Sequence, residues 1–225
     1  LAQMYYADGL FNNAIPNYEN VIARSRSEFT EQSLARLSEI YLKKPDFNNG
    51  IPVLLRLEAE AEYPQNVTFA QANLMRSYYT QKEYSQAVVY ANKVLDNTKS
   101  DSKIKADAQI IVARAAIKVG DEAKAKSAYA KLQIIATGEI AAEAFYYDAY
   151  FKNKENKFEE SNKTVQKIAK DYSGYKYFGA KSLIIMAKNY YGLKDSYQAT
   201  SILKSVIQNF TTYDDVVAEA KTELE

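Results

Sequence analysis

Phe47-Asn48-Asn49-Gly50-Ile51-Pro52 reads almost as a copy of Phe11-Asn12-Asn13-Ala14-Ile15-Pro16, 36 residues earlier. Self-similarity at a period of roughly 20–50 residues marks stacked supersecondary units, so this pair predicts an array before any other motif is weighed. Outward from it, one small residue recurs: Ala14, Gly50, Ala87, Ala125, Ser161 and Ala199, at intervals of 36, 37, 38, 36 and 38.

Around each small residue the apolar positions fall three and four apart, which places them on one helical face. The first unit gives Leu1-Ala2, Tyr5, a break at Gly9, then Phe11, Ala14, Tyr18 and Val21. Later units repeat this as Leu37, Tyr41, Phe47, Gly50, Leu54; as Leu74, Tyr78, Tyr84, Ala87, Ala91; and as Met186-Ala187, Tyr190, Tyr197, Ala199, Leu203. Each reads as helix, turn, helix. The expected units are 1–27, 28–64, 65–101, 102–138, 139–174 and 175–212, followed by a terminal helix over 213–225. Val216, Val217, Ala220 and Leu224 share one face of that last helix, and its acidic outer face suggests a polar cap on the stack, with the start of another unit as the alternative. Pro16 and Pro52 are expected near the starts of second helices, where a missing amide hydrogen costs least.

Small residues such as Ala113 and Ala125 let two helices approach closely, and Tyr and Phe fill the wedge against the next pair. Composition agrees with a folded array: 47% of residues are hydrophobic. Twenty-nine basic residues nearly cancel 28 acidic ones, so the long-range field that draws proteins to nucleic acid is missing, and nucleic acid is not an expected partner. The chain has no Cys and no His, which removes thiolate and imidazole zinc sites and His-based acid/base chemistry. No metal, cofactor or enzymatic activity is expected. No apolar run approaches the roughly 18 residues of a membrane span. Because the chain opens on Leu1 in mid-pattern, it reads as part of a longer protein, and exposed apolar surface over 1–11 would allow end-to-end self-association.

Leu37-Ser38-Glu39-Ile40-Tyr41 and Gly120-Asp121-Glu122-Ala123-Lys124-Ala125 resemble the tetratricopeptide repeat, with its L-G-x-x-Y and A-x-x-x-F pattern and period of about 34. The chain departs from that family in having no Trp, in placing Lys152 where unit five should carry its Tyr, and in retaining only a displaced Pro64. The resemblance implies an all-α, right-handed superhelix (α-solenoid) of about six antiparallel helix pairs plus a C-terminal helix. It also implies a noncatalytic scaffold that holds a protein or peptide on a concave surface lined by the first helices. Carried over residue by residue, that surface comprises Tyr6, Glu39, Asn73, Arg76, Tyr79, Arg114, Lys118, Tyr147, Tyr150, Lys188 and Tyr191. The Lys-then-Asn pair by which chaperone-binding members clamp a terminal carboxylate is missing, although Arg76 and Arg114 suit an acidic peptide.

The junction Ile168–Tyr175, followed by Gly179-Ala180, is similar to unit junctions of bacterial cell-envelope repeat proteins. That likeness implies a bacterial envelope assembly and a periplasmic or outer-membrane-associated location, with the cytoplasm as the alternative. Two other functions are weighed: an accessory superhelical domain of a larger envelope enzyme, and a glycan-binding repeat protein, against which the lack of Trp counts. Gly174, Gly179, Ala180, Lys181 and Ser182 superficially suggest a phosphate loop, but Ala180 separates Gly from Lys and no strand precedes them, so a turn entering a helix is expected. Glu159-Glu160 and Asp214-Asp215 point about 100° apart on a helix and read as solvated charge rather than acid/base pairs.

Overall fold

A computed structural model describes the whole chain, Leu1–Glu225, as thirteen α-helices without strands. It divides into two compact units, residues 1–115 and 116–225. In the first lie α1 (Ala2–Ala7), α2 (Phe11–Ile22), α3 (Thr30–Lys43), α4 (Phe47–Glu60), α5 (Pro64–Thr80) and α6 (Tyr84–Asp96). The division falls within α7 (Ser102–Val119). The second holds α8 (Glu122–Ile135), α9 (Gly138–Lys154), α10 (Phe158–Asp171), α11 (Lys176–Gly192), α12 (Ser196–Asn209) and α13 (Asp214–Thr222). In each unit a helix packs on its successor; in the second, α9 also meets α11 and α11 meets α13.

The turns inside the helix pairs share one device. Gly9, Lys82, Gly120, Asn156 and Lys194 all have φ between 59° and 77°, and each stands five residues before the recurrent small residue. The next amide reaches back to a carbonyl of the first helix, as in Glu83 N to Tyr78 O (2.9 Å) and Asp195 N to Tyr190 O (2.9 Å), so orphan carbonyls at the helix end are satisfied. Pro45 occupies that phase in the second repeat and cannot take positive φ, so its turn runs through Lys44 at φ −120°, ψ 88° instead. Asp46, Asp121 and Asp195 then cap the following helices by accepting from Asn49, Lys124 and Gln198 amides. Glycine adopts the left-handed region without steric cost. Lys194→Gly is therefore expected to raise stability by about 0.5–1 kcal/mol and Gly120→Ala to lower it by about 1 kcal/mol, measured by urea unfolding.

The recurrent small residues form the spine of the core. Ala14, Ala87, Ala125, Ser161 and Ala199 have no exposed surface, and Gly50 is buried with a built Cβ only 3.2 Å from Tyr41 Cβ. Leu34, Leu37, Leu54, Leu57, Leu74 and Met75 fill the first unit. In the second, Tyr129, Leu132, Ile168, Ile184 and Leu203 do the same.

Three expectations are revised. Pro16 and Pro52 are the sixth residues of α2 and α4, one turn too deep to spend amides that would be orphaned anyway, so each removes a helical hydrogen bond from its own helix. Pro64, by contrast, opens α5 at the first helical position. The acidic side chains at the C-terminal end of α13 do not all form a free outer face, although Asp214 and Asp215 at its start are exposed. Asp215 accepts from Tyr177 OH at 2.8 Å, Glu219 pairs with Lys181, and Glu223 lies 2.9 Å from Lys188. Partners 35–38 residues apart are one repeat apart, so α13 sits where the first helix of a seventh unit belongs. Tyr197, expected to pack as the aromatic of the sixth unit, is 82% exposed: Ser196, not Tyr197, stands three residues before the small residue, where Phe11, Phe47, Tyr84 and Phe158 are half-buried. The Phe158 ring lies tight on Gly192 of the next pair.

Tyrosine burial sets the response to alkali. The Tyr41 phenol is pushed up to about 12 by burial and by its hydrogen bond to Glu19 (3.0 Å); Tyr90 is pushed up to about 12 by burial and by the charge of Glu58. Tyr177 rises to about 12 from burial and its bond to Asp215. An unfolded phenol loses its proton near pH 10, earlier than these folded ones, so the unfolded chain binds fewer protons above that pH. Their contribution is complete below about pH 10 and declines toward pH 12, by at most about 1.4 kcal/mol per pH unit for each phenol. Urea midpoints are expected to be flat up to about pH 10 and then to fall, with a shallower fall in Tyr41→Phe.

Candidate protein-binding surface

The first helices of the first unit carry a connected set of polar and aromatic side chains. Tyr6 OH on α1 donates to Glu39 on α3, and Arg36 NH1 lies 2.7 Å from the same carboxylate oxygen. The Arg36 guanidinium stands 4.9 Å from the centre of the Tyr6 ring, and Lys43 Nζ lies 4.9 Å from that of Phe11. The hydrogen bond to Glu39, with burial, raises the Tyr6 phenol above its ordinary value. Arg36 Nε is buried without an acceptor.

Two open grooves lie on either side of the first turns of α5. One, of about 750 Å³, is bounded by α3 and its approach, with Arg26, Glu28, Gln32, Ala35 and Arg36, and by Glu62, Tyr63 and Asn66. The other, of about 650 Å³, lies between α5 and α7 and is lined by Phe69, Ala72, Asn73, Arg76, Lys99, Lys103, Ile104 and Asp107. Glu31 fixes the wall between α3 and α5. Its carboxylate accepts from the amides of Glu62 (3.0 Å) and Tyr63 (3.2 Å) and from Asn66 Nδ2 (2.7 Å). Burial opposes ionisation of Glu31, but those three hydrogen bonds and Arg26 prevail and hold its carboxyl below the usual carboxylate value. A side chain of one repeat thereby supplies the missing acceptor for the helix start of the next.

The structure brings Tyr6 and Glu39 into contact and places Asn73 and Arg76 together in the α5/α7 groove. Asn73 Nδ2 donates to Phe69 O of its own helix (2.8 Å), and Arg76 pairs with Asp107 at 2.6 Å. Tyr79 packs its ring 5.6 Å from Tyr84. Arg114 is half-buried and Lys118 exposed on α7, on opposite sides of the division between the compact units. In the second unit Tyr147 stacks on the buried Tyr129 with centroids 4.2 Å apart, and Tyr150 stands edge-on to Tyr147 at 6.0 Å. Lys188 is engaged by Glu219 and Glu223, and Tyr191 packs with the α11–α13 core. Arg36, Lys99, Lys103 and Asp107 were missed by the sequence reading. Lys99 lies in a connector and Lys103 and Asp107 in the first turns of α7, where the apolar period gives no indication that they face α5.

No protein-family model matches the sequence, and no curated protein matches it by sequence. The fold nevertheless recurs in solved structures. The crystal structure of the MamA protein is similar with a TM-score of 0.63 at 14% identity, over 84% of this chain and 97% of that one. PilW, described as a widely conserved type IV pilus biogenesis factor, matches with a TM-score of 0.54 at 14% identity, over 100% of this chain and 95% of its own. A putative kinesin light chain of Podospora anserina with nearly identical TPR-like repeats gives 0.54 at 16% identity, over 80% and 95%. The fold is thus the all-α, helix-pair solenoid of tetratricopeptide-like proteins.

Proposed function

We propose that this chain is a noncatalytic scaffold that holds a protein or peptide across its first-helix face, and that it does so in a bacterial envelope assembly. The observation that carries the reading is the pair of adjoining grooves flanking α5, open to solvent and walled by Tyr, Arg, Lys and Asn on rigid helices. Such side chains combine contact area with hydrogen-bond donors, as recognition surfaces require. The fold likeness to PilW, a pilus biogenesis factor by its description, supports the envelope part of the reading.

The test is site-specific photocrosslinking in the source cells. A photoreactive residue at Gln65, exposed in the α5/α7 groove, is expected to give a discrete protein adduct in the envelope fraction. The same residue at Val89, exposed on α6, serves as control. Adducts from Val89 alone, or none from Gln65, would overturn the first-helix face as the binding surface. Adducts from Gln65 confined to the soluble fraction would overturn the envelope assignment.

A further inference from the structure

The two grooves beside α5 carry opposite charge. Four carboxylates and two guanidinium groups line the α3/α5 groove: Glu28, Glu31, Glu39 and Glu62 against Arg26 and Arg36. In the α5/α7 groove the balance reverses, with Arg76, Lys99 and Lys103 against Asp107. Internal pairing leaves a residue of each sign. Glu39 is bound to Arg36 and Glu62 to Arg26, each at 2.7 Å, while Glu31 is committed to the start of α5. Glu28 is exposed and free of ion pairs. On the other side Arg76 is neutralised by Asp107 at 2.6 Å, and Lys99 and Lys103 project as exposed, unpaired cations.

The separation between these fields is short. Both grooves share one wall: Tyr63 and Asn66 face the first, and Pro64, Gln65, Thr68 and Phe69 face the second. The grooves lie on either side of α5, a helix about 10–12 Å across with its side chains, and an extended chain advances about 3.3–3.6 Å per residue, so about three residues carry a bound strand from one groove to the next. A helical ligand advances only about 1.5 Å per residue and would spend about seven residues on the same crossing, so a sign change over a few residues suits an extended strand. A uniformly acidic or basic strand would gain in one groove and lose in the other. Phe69, Ala72 and Ile104 give the basic groove an apolar floor, and Ala35 and Tyr63 serve the acidic one.

We propose that the segment held by this face is an extended, charge-segregated peptide, basic over the α3/α5 groove and acidic over the α5/α7 groove, with the sign changing across the first turns of α5. The proposal rests on the protein-binding reading above and specifies the chemistry of its partner. It assigns the free Glu28 to the basic half of the ligand, within the net negative field to which the paired Glu62 contributes, and Lys99 and Lys103 to the acidic half.

The experiment is fluorescence anisotropy of the full chain with four labelled peptides of about ten residues: a lysine block joined by a short spacer to a glutamate block, an alternating Lys/Glu peptide of the same composition, an all-Lys peptide and an all-Glu peptide. The block peptide is expected to bind at least about five-fold more tightly than the alternating one, a size set by a few exposed ion pairs, and to lose most of that advantage in high salt. The paired substitutions Lys99→Glu/Lys103→Glu are expected to shift preference to the all-Lys peptide, and Glu28→Lys/Glu62→Lys to the all-Glu peptide, with helicity unchanged. Equal binding of block and alternating peptides, a wild-type preference for either uniform peptide, or no binding of any of them overturns the proposal. Where the Gln65 adduct persists under those outcomes, only the charge-segregated ligand is overturned; where the adduct is missing too, the binding face itself falls.

Discussion

Ala125→Leu is expected to lower the stability of the second compact unit by about 3 kcal/mol, the upper end of what overpacking a well-filled core costs. Ala125 has no exposed surface and lies on α8, with Ala128, Tyr129 and Leu132 buried on the same helix. At the matching position of the second repeat, a Cβ on Gly50 would already stand 3.2 Å from Tyr41 Cβ. Leu adds three more carbons at such a contact, and the helices must part or adopt poor rotamers. Because an array is stabilised by units and nearest neighbours, hydrogen exchange should accelerate in α8 and α9 while α3 and α4 retain wild-type protection. A melting curve superimposable on wild type would show that the recurrent small residue does not set helix approach.

Asn189→Leu is expected to cost about 2–3 kcal/mol although the two side chains are of similar size, because the loss is of hydrogen bonds rather than volume. Asn189 is fully buried on α11. Its amide donates to Ser161 Oγ and Asn162 Oδ1 of α10, both at 2.8 Å, and its carbonyl accepts from Asn153 Nδ2 of α9 at 2.8 Å. Ser161 Oγ in turn donates to Ala149 O at 2.7 Å. Leu leaves the Asn162 carbonyl buried without its donor and deprives the half-buried Asn153 amide of its acceptor. The check is urea unfolding of Asn189→Leu, Asn162→Ala and their combination. The double variant should fall short of the summed single effects by about 1 kcal/mol; strict additivity would show that α10 and α11 are not coupled through this cluster.

The contrast between these two sites shows what was legible. Ala125 could be named from periodicity, because a helix that must approach its neighbour at each repeat needs a small side chain at each return of the same phase. The Asn153–Ser161–Asn189 cluster could not. Its members lie on three helices, and an Asn in a helix reads as a surface residue until a partner is brought against it. Lys152, conspicuous as the residue replacing the expected Tyr, is likewise explained only by its neighbours: its ammonium lies 2.6 Å from Asp148 and 3.0 Å from Thr164 Oγ1.

For the candidate surface the same division holds. Tyr6, Glu39, Asn73 and Arg76 are named through the tetratricopeptide resemblance, which assigns the first helices to the binding side; their common phase adds only that they share one helical face. Which charges stay unpaired was decided by partners one repeat away. Asp107 reaches Arg76, and Glu219 and Glu223 reach Lys188, whereas Lys99 and Lys103 are left exposed. The sequence by itself determined the helix pairs, their turns and the small residues of the spine, because those depend on local propensity and a short period. Only the tertiary structure decided how α13 pairs with α11, where Pro16 and Pro52 fall within their helices, and how opposite charge divides across α5, because helix boundaries and charge partners are set by contacts between helices that the spacing along one helix does not contain.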